Sequence, residues 1–114
     1  NEKWYGSSFA INNIKYFKYS KNRKHITISN DMYQSGLYIR RWKSGDRIFS
    51  ANSRQHKLVS DLFIDNKYSG FDKMVQPIIV DKSDNIIWIP GVEHGHLNDQ
   101  YITNKMKILE WISN

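Results

Sequence analysis

Four cationic side chains, Arg40, Arg41, Lys43 and Arg47, crowd around Ser44-Gly45-Asp46 in the segment LYIRRWKSGDRI. Each guanidinium offers a planar fork of donors that matches phosphate oxygens, and the lysine adds a mobile point charge. Gly45 accepts positive φ without a Cβ clash and Asp46 can accept from nearby backbone N–H groups, so the segment predicts a stiff corner flanked by cations. The chemistry that fits is attachment to a polyanion. For Arg40 a structural reading competes, an ion pair with Asp46 across the turn, and sequence alone does not separate a surface pair from a ligand contact. Tyr38 and Trp42 interleave with the arginines and could stack on an exposed base, but packing into the sheet is the commoner fate and is the expectation here.

Other chemistry is thinly represented. His94 and His96 lie two apart beside Glu93 and Asp99, which raises a zinc reading, yet Gly95 and the loop composition argue against fixed ligand geometry, and no third histidine is near. Asp61, Asp65 and Asp72 are candidate acid–base groups only in name. Asp61 and Asp65 fall on the polar side of a helical pattern beside Lys57, where surface ion pairing accounts for them. Nothing resembles a G-x-S-x-G nucleophile elbow. The six glycines are scattered and form neither G-x-x-x-x-G-K-[ST] nor G-x-G-x-x-G. No catalytic residue and no metal ligand is assigned.

The 114 residues suit one domain, or a domain plus part of a neighbour. A mean hydropathy of −0.66 and the lack of any apolar run near the roughly 20 residues that span a bilayer argue against membrane insertion. The absence of cysteine excludes disulfides and fits a reducing cytoplasm. The net charge of +6 conceals an asymmetry: residues 1–60 carry 12 Lys+Arg against 3 Asp+Glu, whereas residues 61–114 carry 5 against 8. The basic half contains the cationic corner. Such polarity suits a polyanionic partner on one surface, the plainer alternative being a solvated basic face.

These side chains must be positioned by short strands. Phe9-Ala10-Ile11 and Ile14 to Tyr19 read as extended, with Asn12-Asn13 as a turn or bulge, Ser20 to Arg23 as a polar loop, and Lys24 to Ser29 alternating with period two. Gly36 to Trp42 is a further strand. The i,i+4 pairs Leu58/Leu62 and Val59/Phe63 in KLVSDLFIDN predict one short helix over 57–66, with Asn52 or Ser53 capping it or the turn before it; Tyr68-Ser69-Gly70 ends that region. Pro77 to Val80 and Ile86 to Ile89, around DKSDN, predict a hairpin buried on both faces. Pro90-Gly91 stops it, VEHGHLNDQ reads as a loop, and KMKILEWIS as a last strand, with a short helix as the alternative because Leu109, Trp111 and Ile112 break strict alternation.

In order and spacing, LYIRRWKSGDRI, KLVSDLFIDNK and QPIIVDKSDNIIWIPG resemble the C-terminal domain of bacterial tRNA(Ile)-lysidine synthetase, over Leu37 to Gly91. Departures are ANSRQH before the helix, Tyr68-Ser69 after it, and Trp42 and Lys73 where basic residues are common in the family. The resemblance implies a mainly β fold with one short helix (α+β), a layered antiparallel β-sandwich similar to a domain of the phenylalanyl-tRNA synthetase β subunit. Residues 37–114 would form that domain, and 1–36 would be strands leading in or the end of a preceding domain.

The resemblance also implies a function. In the family an ATP-pyrophosphatase-type domain with an S-G-G-x-D-S loop adenylates the wobble cytidine of CAU-anticodon tRNA(Ile), and lysine displaces AMP. That loop is not in these residues, so the implied role is a C-terminal fragment, inactive alone and without its own cofactor, which grips tRNA(Ile) around the acceptor stem. ATP and lysine would be used by the N-terminal catalytic domain, in the cytoplasm. The expected RNA contacts are Arg40, Arg41, Lys43 and Arg47, then Lys57, Lys67 and Lys73. The alternative is a protein-interaction module that docks the catalytic part or forms a homodimer.

Overall fold

The computed structural model describes residues 3–13, 23–97 and 106–112. Strands β1 (Lys3–Trp4), β2 (Ser7–Asn13) and β3 (Arg23–Ser29) are followed by helix α1 (Asn30–Ser35). Next come β4 (Leu37–Arg40), β5 (Arg47–Phe49), β6 (His56–Leu58), α2 (Val59–Asp65) and α3 (Gly70–Val75). The order closes with β7 (Ile78–Asp81), β8 (Ile86–Ile89), β9 (Glu93–His94) and β10 (Met106–Ile112). The mainly β class expected from the sequence is the class observed, with three short helices among the described residues instead of one. The chain divides into two compact units, residues 1–36 with 98–114, and residues 37–97.

In the first unit the strand order is β1-β2-β10-β3, so the C-terminal strand is inserted between two N-terminal ones. Leu109 faces Ile11 on one side and Ile26 on the other, in antiparallel register. Phe9, Ile26, Ile28, Ile108 and Leu109 are buried there. The turn expected at Asn12-Asn13 is corrected: both asparagines continue β2, paired with Ile108 and Lys107, because the cross-strand partner supplies hydrogen bonds that override their turn preference. Arg23, expected in a loop, opens β3. The strand expected over 14–19 and the loop over 20–22 lie outside the described residues. Ser29 caps α1, its hydroxyl accepting from the Met32 N–H at 3.1 Å.

The second unit is a mixed sheet in the order β4-β7-β8-β5-β6, with β9 also on β8. The β7–β8 hairpin is as expected: Ile78, Ile79, Val80 and Ile86 to Ile89 are all buried. Its turn is tied by Asp81, whose carboxylate accepts from the N–H groups of Ser83 and Asn85, each at 2.9 Å. Helix α2 buries Val59, Leu62 and Phe63 against Ile48, Ile78, Val80, Ile86 and Ile89. At about 1.5–3 kcal/mol for each large apolar side chain buried, this packing is what holds a helix too short to persist alone.

Two boundaries depart from the sequence expectation. The helix begins at Val59 because His56–Leu58 pairs with Phe49–Arg47 as a strand, and Leu58, not Asn52 or Ser53, occupies its N-cap without a side-chain bond. Ser50 organises the preceding turn instead, its hydroxyl accepting from the Asn52 and Ser53 N–H groups. Gly70 starts α3 instead of ending the region, since Ser69 and Asp72 form a reciprocal capping box. At the far end of α3, buried Gln76 donates to the carbonyls of Pro77 (3.1 Å) and Pro90 (2.9 Å) and accepts from the Tyr68 hydroxyl at 2.5 Å.

Candidate nucleic-acid interface

The cationic corner joins β4 to β5. Asp46 N–H donates to the Lys43 carbonyl at 3.1 Å, and Gly45 holds φ at 92°, a conformation costly for any residue with a Cβ. The side chain of Asp46 then turns back into the corner: it accepts the Lys43 N–H at 2.8 Å and both terminal nitrogens of Arg40 at 2.9 and 3.0 Å. Arg40 Nε donates to Asp84 at 2.8 Å, and Nη1 also donates to the Arg41 carbonyl at 2.9 Å. Asp84 reaches this position from the β7–β8 turn, where it adopts φ 66°.

Four of the five donors of Arg40 are thus engaged within the protein. The structural reading of Arg40 therefore describes its contacts. Hydrogen bonding to Asp46 raises its already high pKa, with Asp84 adding to the effect against the cost of burial. The Arg40 hydrogen bond in turn holds the Asp84 carboxyl below the usual carboxylate value, helped by Lys43. The corner is consequently a clamp of two acids around one arginine.

The remaining expected contacts separate into two groups. Arg41 and Arg47, at either end of the corner, are exposed and form no ion pair among the described residues. Lys67, exposed in the left-handed turn after α2 (φ 56°), is likewise without one. Lys43 is largely exposed but its ammonium stands 3.4 Å from Asp84. Lys57 is held 2.9 Å from Glu93, whose side chain is only 9% exposed, so the expected pairing of Lys57 with Asp61 is replaced by a partner 36 positions away. Lys73 lies over the ring of Trp42, 5.6 Å from its centroid.

The aromatic expectation splits. Trp42 packs on the core, edge-on to Phe63 (5.4 Å, 82°), and Tyr68 stacks on the same Phe63 at 4.9 Å. Burial raises the Tyr68 phenol pKa, with the charge of Asp72 adding to it. Tyr38 departs from the expectation, standing 55% exposed because it lies on the outward face of edge strand β4.

Sequence reasoning passed over three exposed features of this unit. Arg54 sits in the β5–β6 turn with φ 54°. Asp84, which the sequence places only within a hairpin turn, reaches Arg40. Phe49 touches two imidazoles, His56 at 4.9 Å and His96 at 5.8 Å between centroids. The only advance signal for that grouping was alternation around buried Ile48. His94 turns instead to Trp88, so the two histidines of the zinc reading face different rings. Among the described residues no group of three or more His, Asp or Glu side chains could hold a metal ion, and no helix is long and apolar enough to cross a membrane.

No family model matches the chain. Among curated proteins it is 30% identical over 104 residues to the tRNA(Ile)-lysidine synthase of Bacillus licheniformis, covering 91% of the chain and 22% of that protein. It is 40% identical over 73 residues to the tRNA(Ile)-lysidine synthase of Bacillus subtilis, covering 64% of the chain and 16% of the relative. The chain therefore spans about a fifth of the length of these relatives. Its fold matches a solved structure described as the crystal structure of a TilS C-terminal domain, with a TM-score of 0.77 at 19% identity, over 95% of this chain and 85% of that one. The resemblance of the three ordered segments to the C-terminal domain of tRNA(Ile)-lysidine synthase is borne out in sequence and in fold.

Proposed function

We propose that this chain is the tRNA-gripping part of a tRNA(Ile)-lysidine synthase, holding CAU-anticodon tRNA(Ile) by the phosphates of its acceptor stem. Another part of the enzyme, in the cytoplasm, joins lysine to the wobble cytidine with ATP. The observation that carries the reading is the pair Arg41 and Arg47, exposed and free of acidic partners among the described residues, on a corner stiffened by the Arg40, Asp46 and Asp84 clamp. Phosphate contacts from such residues orient a nucleic acid without reading its sequence. Lys67 and Lys43 extend the attachment. Arg40 and Lys57 serve it indirectly, by shaping the unit that presents it.

The test is titration of CAU-anticodon tRNA(Ile) with the chain across a salt series. The double variant R41E/R47E is expected to bind at least about tenfold more weakly, and the neutral double variant R41Q/R47Q to lower the log–log salt slope by about 2. Unchanged affinity and slope would remove the corner from the site.

A second reading, docking of another protein part or of a second copy, draws on Ile64 and Phe71, 68% and 67% exposed. It predicts self-association in sedimentation, or binding to an N-terminal fragment, lost in I64S/F71S. Affinity for tRNA would then be weak in the parent chain.

A further inference from the structure

Strand β5 turns Arg47 and Phe49 outward on either side of fully buried Ile48. Residues two apart on a strand share a face about 7 Å apart. Directly opposite Phe49 on β6 is His56, and the two rings lie 4.9 Å apart at 54°. His96 approaches Phe49 as a second imidazole, 5.8 Å away at 73°, and its backbone N–H donates to the Phe49 carbonyl at 2.7 Å. Three rings therefore converge at the surface, with Phe49 37% exposed, His56 exposed and His96 half-buried. None belongs to the core cluster beneath α2.

The backbone under the rings is tightly fixed. Gly95, next to His96, donates to the Ile87 carbonyl at 2.9 Å, and a Cβ at Gly95 would fall 2.7 Å from that oxygen. Ser50, next to Phe49, pairs with Gly95. Cations border the cluster: Arg47 along β5, and Arg54 in the turn that leads to His56. The neighbouring acid on β9, Glu93, is engaged by Lys57. Rings set beside guanidinium groups that make no ion pair among the described residues match the two faces of a nucleotide, a flat base and its phosphate.

We propose that Phe49, His56 and His96 form a stacking platform for an unpaired nucleotide of the bound RNA, its base against the rings and its phosphate on Arg47. The proposal rests on the phosphate-binding reading of the arginines and adds to it a subsite for single-stranded RNA. Stacking supplies affinity without base identity, so the platform accepts any base.

The test compares a fluorescein-labelled single-stranded RNA tetranucleotide with a counterpart of the same backbone whose inner two residues are abasic, each titrated with the whole chain. The parent chain is expected to favour the base-bearing strand by about tenfold. F49A should abolish the preference, F49W should keep it, and R47Q should weaken both strands while leaving their ratio unchanged. If F49A does not fold, as judged by thermal melting, H56A supplies the same ratio. Equal binding of the two strands overturns the platform, as does a preference that survives F49A and H56A, or tRNA binding with no tetranucleotide binding. Equal binding that R47Q weakens leaves the phosphate reading standing; failure to bind tRNA at all sinks that reading itself.

Discussion

Replacing Asp46 by Ala sets two physical effects against each other. Removal of an acid near Arg41 and Arg47 raises the local positive potential. One unit charge about 8 Å away in water is worth about 0.5 kcal/mol, so simple electrostatics expects D46A to bind tRNA roughly twofold more tightly. The clamp argues the reverse. Asp46 accepts three hydrogen bonds, two from Arg40 and one from the Lys43 N–H, and its side chain is 8% exposed while that of Arg40 is 21% exposed. Breaking a buried pair costs about 3–5 kcal/mol and an exposed one about 0–1. Arg40 keeps Asp84, which places the expected loss near 2 kcal/mol. With a urea m-value of about 2 kcal/mol/M, the midpoint of the second unit falls by about 1 M. Loosening the corner also frees two arginines that must then be ordered on binding, about 1 kcal/mol each, so after the gain of about 0.5 kcal/mol in positive potential tRNA affinity drops about tenfold. Urea titration followed by tryptophan fluorescence, together with tRNA anisotropy on the same preparation, reads both numbers. Affinity equal to or above that of the parent chain would show that the clamp does not organise the binding corner. An unmoved midpoint would show that the ion pair contributes nothing to stability.

Three further outcomes follow from the same geometry. K57A leaves the nearly buried Glu93 without its ammonium and is expected to cost about 2 kcal/mol by chemical denaturation, while tRNA affinity stays within twofold; a tenfold loss of affinity with normal stability would return Lys57 to the interface. G95A drives a Cβ against the Ile87 carbonyl and is expected to destabilise by about 1–3 kcal/mol; a melting temperature equal to that of the parent chain would contradict the close approach. The depressed pKa of Asp84 means that its ionised form favours the folded state. Its contribution is present above the ordinary carboxylate value of 3.8 and is lost as pH falls through the lower folded value. D84N should therefore lower the melting temperature at pH 7 and converge with the parent chain in strong acid; parallel curves would refute the assignment.

Where local pattern and tertiary demand agreed, the fold was readable in advance. The β7–β8 hairpin announces itself because two apolar runs flank a polar turn, and both faces of each strand are buried. The inward side of α2 was visible in Val59 and Phe63 four residues apart. The start of that helix was not, since His56–Leu58 is a strand only by virtue of its partner β5. Helix α3 did carry a local sign, Ser69 and Asp72 three apart, which the glycine at position 70 obscured. At the corner, residue types identified a cationic cluster but not which members were free. Asp84 comes to Arg40 from 44 positions along the chain and Glu93 to Lys57 from 36, and pairings at that range depend on how the sheet folds. The ring cluster around Phe49 was hidden for the same reason: three separate segments meet there.

The placement of β10 has a consequence for synthesis. A nascent chain emerges from its N-terminus, so β2 and β3 leave the ribosome long before Met106–Ile112, the strand that lies between them. Residues 37–97, whose strand pairing among the described residues is internal, complete that pairing earlier. The first unit must therefore wait with two seven-residue strands lacking their shared neighbour, an exposure that invites pairing with other chains. Cleavage or premature termination before Met106 would remove the middle of that sheet, not its margin, and make the waiting state permanent.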